Sequence, residues 1–369
     1  MALDIGVLGY RFMGKAHSNA MARLPMFFPD APEINRAVLV GRDEEALSSA
    51  ADKLGFSRTT TDWEAAIEEV DVFYNLGPNF VHPEPSIAAL DAGTPVFCEK
   101  PLAPTLEQAE AMTDAYHEAG VPAGCAFNYR FVPAIRYAKN LIDSGELGEI
   151  HHVRGYYLQD WLVDPEAPWS WRNDKELAGS GALGDLGAHT IDLARFLVSE
   201  RAGEISEISG QLQTFTDERP IEGEDESREV TVDDAYLATA EFENGAVGSF
   251  EASRNATGHK NDHTIEIEGS AGSLKFSLER LNELEYLKED SRGFETILVT
   301  DPEDPYIDHW WPPGHVIGWE HTFVHENYEF LSAVESGGDF SPSFEDGLVT
   351  QRVLSAIEES DASGERVSL

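Results

Sequence analysis

The chain opens with an apolar run, Leu3-Asp4-Ile5-Gly6-Val7-Leu8, that breaks at Gly9 and passes from Gly14 into a stretch with helical spacing, Lys15-Ala16-His17-Ser18-Asn19-Ala20-Met21. The change of period predicts strand, tight turn and helix. The alternation continues with a strand at 37–40, an alanine-rich helix at 44–54, a strand at 70–75, a helix at 83–92, a strand at 95–98, a helix at 105–119 and a short strand at 121–126. Strands that alternate with helices predict right-handed βαβ units on a parallel sheet.

After 126 the texture changes. One helix, at 132–143, precedes strand-like runs at 150–158, 205–215, 235–242, 246–253, 263–268 and 273–276, with Asn244-Gly245 as a hairpin turn. These runs predict a large, mostly antiparallel sheet. The dense acidic stretch 217–234 reads as a solvated loop, and 320–335 and 345–360 read as helices. No internal repeat or low-complexity segment is visible.

Charge narrows the function classes. Among 369 residues, 68 are Asp or Glu and 26 are Lys or Arg, a formal net charge of −42. Such a surface repels phosphate backbones and anionic lipid, which argues against nucleic acid and membrane as partners. The acid is spread along the chain, and only 8 of the basic residues are lysines. That points to a cytoplasm rich in salt, where the Debye length falls to about 3 Å at 1 M and self-repulsion is quenched. The start has no basic leader segment, and no stretch reaches the ~20 apolar residues of a membrane span, so a cytoplasmic protein is expected. Cys98 and Cys125 are too few for a disulfide framework, and no cluster has metal-ligand spacing.

Gly9-Tyr10-Arg11-Phe12-Met13-Gly14 stands where a phosphate-binding G-x-G-x-x-G turn belongs, after a strand and opening a helix whose free N–H groups favour an anion. Arg11 replaces the middle glycine, so its guanidinium either meets a phosphate or points to solvent. At the end of the second strand, NAD-binding folds place an acidic residue on the ribose 2′-OH, whereas an Arg accommodates a 2′-phosphate. Here Gly41 is followed by Arg42, which favours NADP over NAD, while Asp43 leaves the carboxylate reading open. The expected architecture is α/β: a Rossmann dinucleotide-binding domain over 1–126 and an α+β domain over 127–369 for substrate binding and oligomerisation.

Further motifs follow in order: Gly77-Pro78-Asn79-Phe80-Val81-His82, Glu99-Lys100-Pro101, Asn128-Tyr129-Arg130-Phe131, Gly145-Glu146-Leu147-Gly148-Glu149-Ile150, and Gly179 to Asp192 with Asp185 and His189 four residues apart. Together these resemble the glucose–fructose oxidoreductase, inositol dehydrogenase and MocA (Gfo/Idh/MocA) family along nearly the whole chain. The resemblance implies hydride transfer from a carbinol carbon of a sugar or inositol-like polyol to NAD(P), with Lys100, Asp185 and His189 as the catalytic set. It implies a cofactor site drawing on Gly9, Arg11, Phe12, Met13, Gly14, Gly41, Arg42, Pro78, Asn79, His82, Glu99 and Lys100. Tyr129, Arg130, Gln159, Trp161 and Arg172 are implied on the substrate side with Asp185 and His189. A glycosidase that uses bound NAD for transient oxidation, or a cofactor-sensing regulator, would carry the same scaffold; a regulator has no reason to keep the three catalytic residues.

The chemistry agrees with those residue types. Removing hydride from a carbinol carbon requires loss of the hydroxyl proton, and imidazole titrates near working pH, so His189 suits the base. The Lys100 ammonium, just past a strand's carboxyl end, suits a developing alkoxide. Trp161 and Trp171 serve either a sugar-stacking pocket or a core, and Trp310-Trp311-Pro312-Pro313-Gly314-His315 reads as a loop over the substrate. A dimer or tetramer through an open sheet face is the expected assembly.

Overall fold

The computed structural model describes residues 2–369, which pack as two compact units: the chain up to Phe131 with Gly318–Val349, and Val132–Ile317 with Thr350–Leu369. In the first unit β1 (Leu3–Leu8), α1 (Phe12–Phe27), β2 (Ile34–Val40), α2 (Glu44–Leu54), β3 (Arg58–Thr60), α3 (Trp63–Ile67), β4 (Val72–Asn75), α4 (Pro83–Asp91), β5 (Val96–Cys98), α5 (Leu106–Ala119) and β6 (Ala123–Cys125) alternate. Six parallel strands lie in the order β3-β2-β1-β4-β5-β6. Every residue of β4 and β5 is buried, as expected of parallel strands covered on both faces. The order reverses between β1 and β4, so the carboxyl ends of those strands form a topological switch point, where open α/β sheets bind ligands.

The second unit carries α6 (Pro133–Asp143), β7 (Ile150–Leu158), α7 (Lys175–Ala178), α8 (Ala188–Ala202), β8 (Ile205–Gln213), β9 (Glu218–Pro220), β10 (Ser227–Glu229), β11 (Ala235–Phe242), β12 (Val247–Ser253), β13 (Asp262–Gly269), β14 (Ser273–Ser277), β15 (Glu283–Leu287) and β16 (Glu295–Leu298). The chain closes with α9 (Glu320–Ser336), α10 (Phe344–Ser363) and β17 (Val367–Ser368). Nine strands form one sheet in the order β16-β15-β14-β13-β7-β12-β11-β8-β17, antiparallel except where β12 pairs with β7. Along β7 the alternation sends Val153, Gly155 and Tyr157 inward and Arg154 outward. Helices α6 and α8 pack together, and α8 lies on β7. On the outward side Arg154 pairs with Glu266 and Glu268, and Lys275 reaches Glu266 at 2.7 Å.

Two expectations are corrected. The acidic stretch 217–234 is no plain loop: β9 and β10 pair as a hairpin. Arg219, fully buried, donates to Leu162 O at 2.8 Å and Asp164 O at 2.9 Å, which pins the hairpin while its carboxylates face water. The segment 318–349, expected in the second domain, packs with the first unit, because α9 lays His321, Phe323 and Val324 into that core and packs along α1.

Candidate cofactor and catalytic sites

The phosphate-binding turn is built by close approach. Gly9 has φ +106°, open to glycine and strained for other residues, and a Cβ on Gly14 would overlap Gly9 O, so α1 enters tight against β1. The first turn of α1 has no acidic residue, and Arg11 at its N-cap makes no side-chain capping bond. Arg11, Lys15 and Arg42 are exposed, and none has an acidic partner among the described residues. A tight glycine turn, an uncapped helix N-terminus and uncommitted cations fit the phosphates of a dinucleotide. Phe12, exposed, stacks on Trp319 at 5.6 Å, and Met13 is half-buried. Asp43 caps α2, its Oδ1 accepting from Ala46 N–H at 3.0 Å, while the side chain stays exposed.

Behind Lys100 lies a buried polar chain that the sequence did not announce. Asn327 of α9 donates from Nδ2 to Phe323 O at 2.7 Å, which turns the same amide nitrogen toward His17 Nδ1 at 2.9 Å. His17 Nδ1 therefore accepts, and its proton sits on Nε2, 3.2 Å from Glu99 Oε1. The other Glu99 oxygen takes the Lys100 N–H at 3.2 Å. Glu99, expected at the cofactor, thus has both carboxylate oxygens engaged inside the unit.

His82 is likewise engaged within the unit. It is wholly buried, with Nδ1 3.0 Å from Pro101 O and Nε2 3.1 Å from Gly77 O, and burial lowers its pKa while those carbonyls and Glu99 pull it up. Its part is to tie the Gly77-Pro78-Asn79 loop to the Lys100-Pro101 loop. Asn75 helps by donating to Val81 O and His82 O, each at 3.1 Å, leaving Pro78 and Asn79 half-buried on the loop. Tyr129 is buried, and Arg130, expected at substrate, is held inside the first unit by Asp346 at 3.0 Å and Ser341 at 3.1 Å.

In the second unit Asp185 sits on a turn, Leu183–Gly187, wound more widely than an α-helix: the Ala188 N–H reaches back five residues to Leu183 O. His189 follows in the first turn of α8. The segment is anchored by Asp233, whose Oδ1 takes the Gly181 N–H at 2.6 Å, whose Oδ2 takes the Leu183 N–H at 2.8 Å and whose carbonyl takes the Ala182 N–H at 3.1 Å. Gly181 is required, since a Cβ there would overlap Asp233 O and stand 2.6 Å from Arg254 Nη2. Burial raises the Asp233 pKa, against the pull of Arg254, which donates to Asp233 O at 2.8 Å.

Around His189 lie two further rings. Tyr157 stacks on His263 at 4.6 Å, and their centroids are 6.1 and 6.5 Å from that of His189. Burial pushes His263 down to about 3, and its Nε2 meets Thr190 Oγ1 at 3.3 Å. Asn261 Oδ1 accepts from both Tyr157 OH and Gln159 Nε2, each at 2.7 Å. Trp161 is 42% exposed with the buried Arg254 guanidinium 5.7 Å from its ring, which removes it from the core. Arg172 is half-buried over Trp171 at 4.4 Å; in the 310–315 loop Trp310 is buried and Trp311 exposed. No group of three or more His, Cys, Asp or Glu able to hold a metal occurs among the described residues, and no helix among them is long and apolar enough to cross a membrane.

The sequence reading missed His17, Asn327, Asp233, Arg254, Asn261 and His263. Only His17 carried a signal, lying three residues after Gly14 and so on the same inward face of α1.

Comparison with known proteins agrees with this architecture. Residues 3–127 match the oxidoreductase family, NAD-binding Rossmann fold, and residues 135–275 match the GFO/IDH/MocA C-terminal domain. Levoglucosan dehydrogenase from Pseudarthrobacter phenanthrenivorans is 43% identical over 98% of this chain and 96% of that protein. A crystal structure of levoglucosan dehydrogenase in complex with NADH superposes with TM-score 0.95, covering 100% of this chain and 99% of that one at 43% identity. An oxidoreductase domain protein from Kribbella flavida gives TM-score 0.95 at 48% identity over 100% of this chain and 99% of that one. The NADP-linked D-xylose 1-dehydrogenase of Haloarcula marismortui is 27% identical over 73% of this chain and 78% of that protein. With the glycine turn, the Glu99-Lys100-Pro101 loop and the Asp185/His189 segment in family order along the whole chain, this protein belongs to the Gfo/Idh/MocA family of NAD-binding oxidoreductases.

Proposed function

We propose that the chain oxidises a carbinol carbon of a sugar or polyol, and that levoglucosan, the substrate named for its 43% identical relative, is the first compound to test. His189 takes the hydroxyl proton, the Lys100 ammonium stabilises the developing alkoxide, and Asp185 orients the hydroxyl-bearing ring. Bound nicotinamide supplies the hydride acceptor. Gly9, Gly14, Arg11, Phe12 and Met13 hold the pyrophosphate turn, with Pro78 and Asn79 beside it. Gln159, Trp161 and Arg172 contribute to sugar recognition, Trp161 through its exposed face.

On cofactor choice, we read Arg42 as admitting a 2′-phosphate, so that NADP is accepted, and preferred, alongside NAD. The acidic, lysine-poor composition fits a salt-rich cytoplasm, and the polar outer face of the nine-stranded sheet fits a homo-oligomer.

The observation that carries the reading is that both candidate catalytic segments are backed by buried charged groups: Glu99 on the Lys100 N–H, and Asp233 on Gly181 and Leu183. The test is NAD(P)H formation at 340 nm in molar KCl with levoglucosan, aldoses and inositols. Lys100→Ala and His189→Ala should lower kcat by about 10²–10⁴-fold while cofactor binding persists. Glycosidic cleavage without net NAD(P)H formation would replace this reading with the glycosidase one.

A further inference from the structure

We propose that Tyr10 governs which nicotinamide cofactor this chain accepts, by occupying the space that a ribose-reading carboxylate would need. The inference rests on the NAD(P) reading above and concerns only the first unit. In dinucleotide folds, an acidic residue at the end of the second strand both accepts from the ribose 2′-OH and repels a 2′-phosphate. At the end of β2 the position that would offer one is closed. At Gly41 a Cβ would overlap Tyr10 Cε1, stand 2.8 Å from Tyr10 Cδ1 and lie 3.2 Å from Leu47 Cδ1. At Asp43 the carboxylate caps α2 through Ala46 N–H.

Tyr10 belongs to the phosphate-binding turn itself, immediately after Gly9, so its ring spans from that turn to the end of β2 and rests half-buried on the bare Gly41 backbone. Leu47, from the first turns of α2, stands on the other side and is buried, so a new side chain at 41 must displace the Tyr10 ring. Beside this bare strand end stands Arg42, exposed and without an acidic partner among the described residues. With no side chain at 41 to repel it and a cation at 42, a 2′-phosphate is tolerated. The glycine is therefore not the specificity determinant by itself: Tyr10 and Gly41 form one unit, in which the aromatic ring keeps the strand end free of side chains.

The coupling makes a test that ordinary redesign would not predict. Gly41→Asp, which restores the acidic residue of NAD-binding folds at this place, should overpack against Tyr10 before it can tilt the chain toward NAD. Dissociation constants for NAD+ and NADP+ would be measured by titration calorimetry on wild type, Gly41→Asp, Tyr10→Ala and Tyr10→Ala/Gly41→Asp, with thermal melts on each. Gly41→Asp alone should weaken both cofactors by about tenfold or more, since overpacking and a displaced turn act on either. The double variant should recover NAD+ binding to within about threefold of wild type while NADP+ stays at least about tenfold weaker, because the carboxylate then has room and repels the phosphate. Should Gly41→Asp fail to fold, recovery of a folded, NAD-selective double variant carries the same conclusion. A single Gly41→Asp that simply switches to NAD, or a double variant no better than the single one, overturns the role of Tyr10. Wild type that binds neither cofactor overturns the NAD(P) reading as well.

Discussion

Replacing Asp233 by Asn would isolate the anchor beneath Asp185. In the wild type, three successive N–H groups, Gly181, Ala182 and Leu183, all end on Asp233, two of them on its carboxylate at 2.6 and 2.8 Å. Asn supplies one oxygen and one NH2, so one of the two N–H groups would face another donor. Leaving a buried donor unmatched costs about 1–3 kcal/mol, and bonds to a carboxylate are roughly twice as strong as neutral ones. Against this, burial raises the Asp233 pKa, so a neutral side chain recovers part of the desolvation cost. A net loss of about 2 kcal/mol is expected, and with an unfolding entropy of about 0.8 kcal/mol/K for 369 residues that lowers Tm by about 2–3 °C. The same disturbance shifts the turn carrying Asp185. Because a displacement near 1 Å can cost up to about 10²-fold, kcat should fall about 10–100-fold with the cofactor KM unchanged. Thermal melts and steady-state rates measured well below Tm separate the two effects. A lowered Tm with wild-type kcat would reduce Asp233 to a structural residue, and no change in either would mean that the three contacts contribute nothing.

Two other predictions concern pH and salt. His263 is pushed down to about 3 from an ordinary 6.5, so the stability of its buried neutral form is complete above pH 6.5 and is lost as pH falls toward the folded value. His263→Gln should therefore flatten the decline of Tm between pH 6.5 and 5, where wild type loses up to about 1.4 kcal/mol per pH unit through this group; parallel profiles would remove His263 as the source. With a net charge of −42, Tm should rise from dilute buffer to molar KCl even though salt weakens outer-face pairs such as Arg154 with Glu268; a Tm that does not move would refute the salt-rich reading.

The first sheet was legible apart from β3, because its buried parallel strands read as short apolar runs and residues such as Asp43 and Thr105 mark helix starts, whereas β3 is a largely exposed Arg58-Thr59-Thr60 with no apolar run to read. The second sheet was legible only in part. Its strands β15 and β16, like the separate hairpin β9–β10, carry charged residues, Glu283, Glu295, Glu218 and Arg228 among them, which hide the alternation in a chain where acid is everywhere. Apart from His17, the supports of the site were not legible, because they are made across long stretches of chain: Asn327 meets His17 from 310 residues away, and Asp233 meets Gly181 from 52. A spacing rule works within one helix or turn and has no purchase at that range.

The same contrast explains which motif residues stay available to a ligand. His82, Glu99 and Arg130 were singled out for their chemistry, yet the fold commits their polar atoms internally: the His82 ring between the Pro101 and Gly77 carbonyls, both oxygens of Glu99 to His17 and Lys100 N–H, and the Arg130 guanidinium to Asp346 and Ser341. Arg11 and Arg42 carry no such commitment, and Trp161 keeps an open face. A buried group that already has its partners would have to break them to bind anything, at about 1–3 kcal/mol for each bond, whereas an uncommitted cation or ring binds at no such cost. The internal hydrogen bonds thus separate the motif side chains already committed within the fold, which hold their loops still, from those left open to solvent.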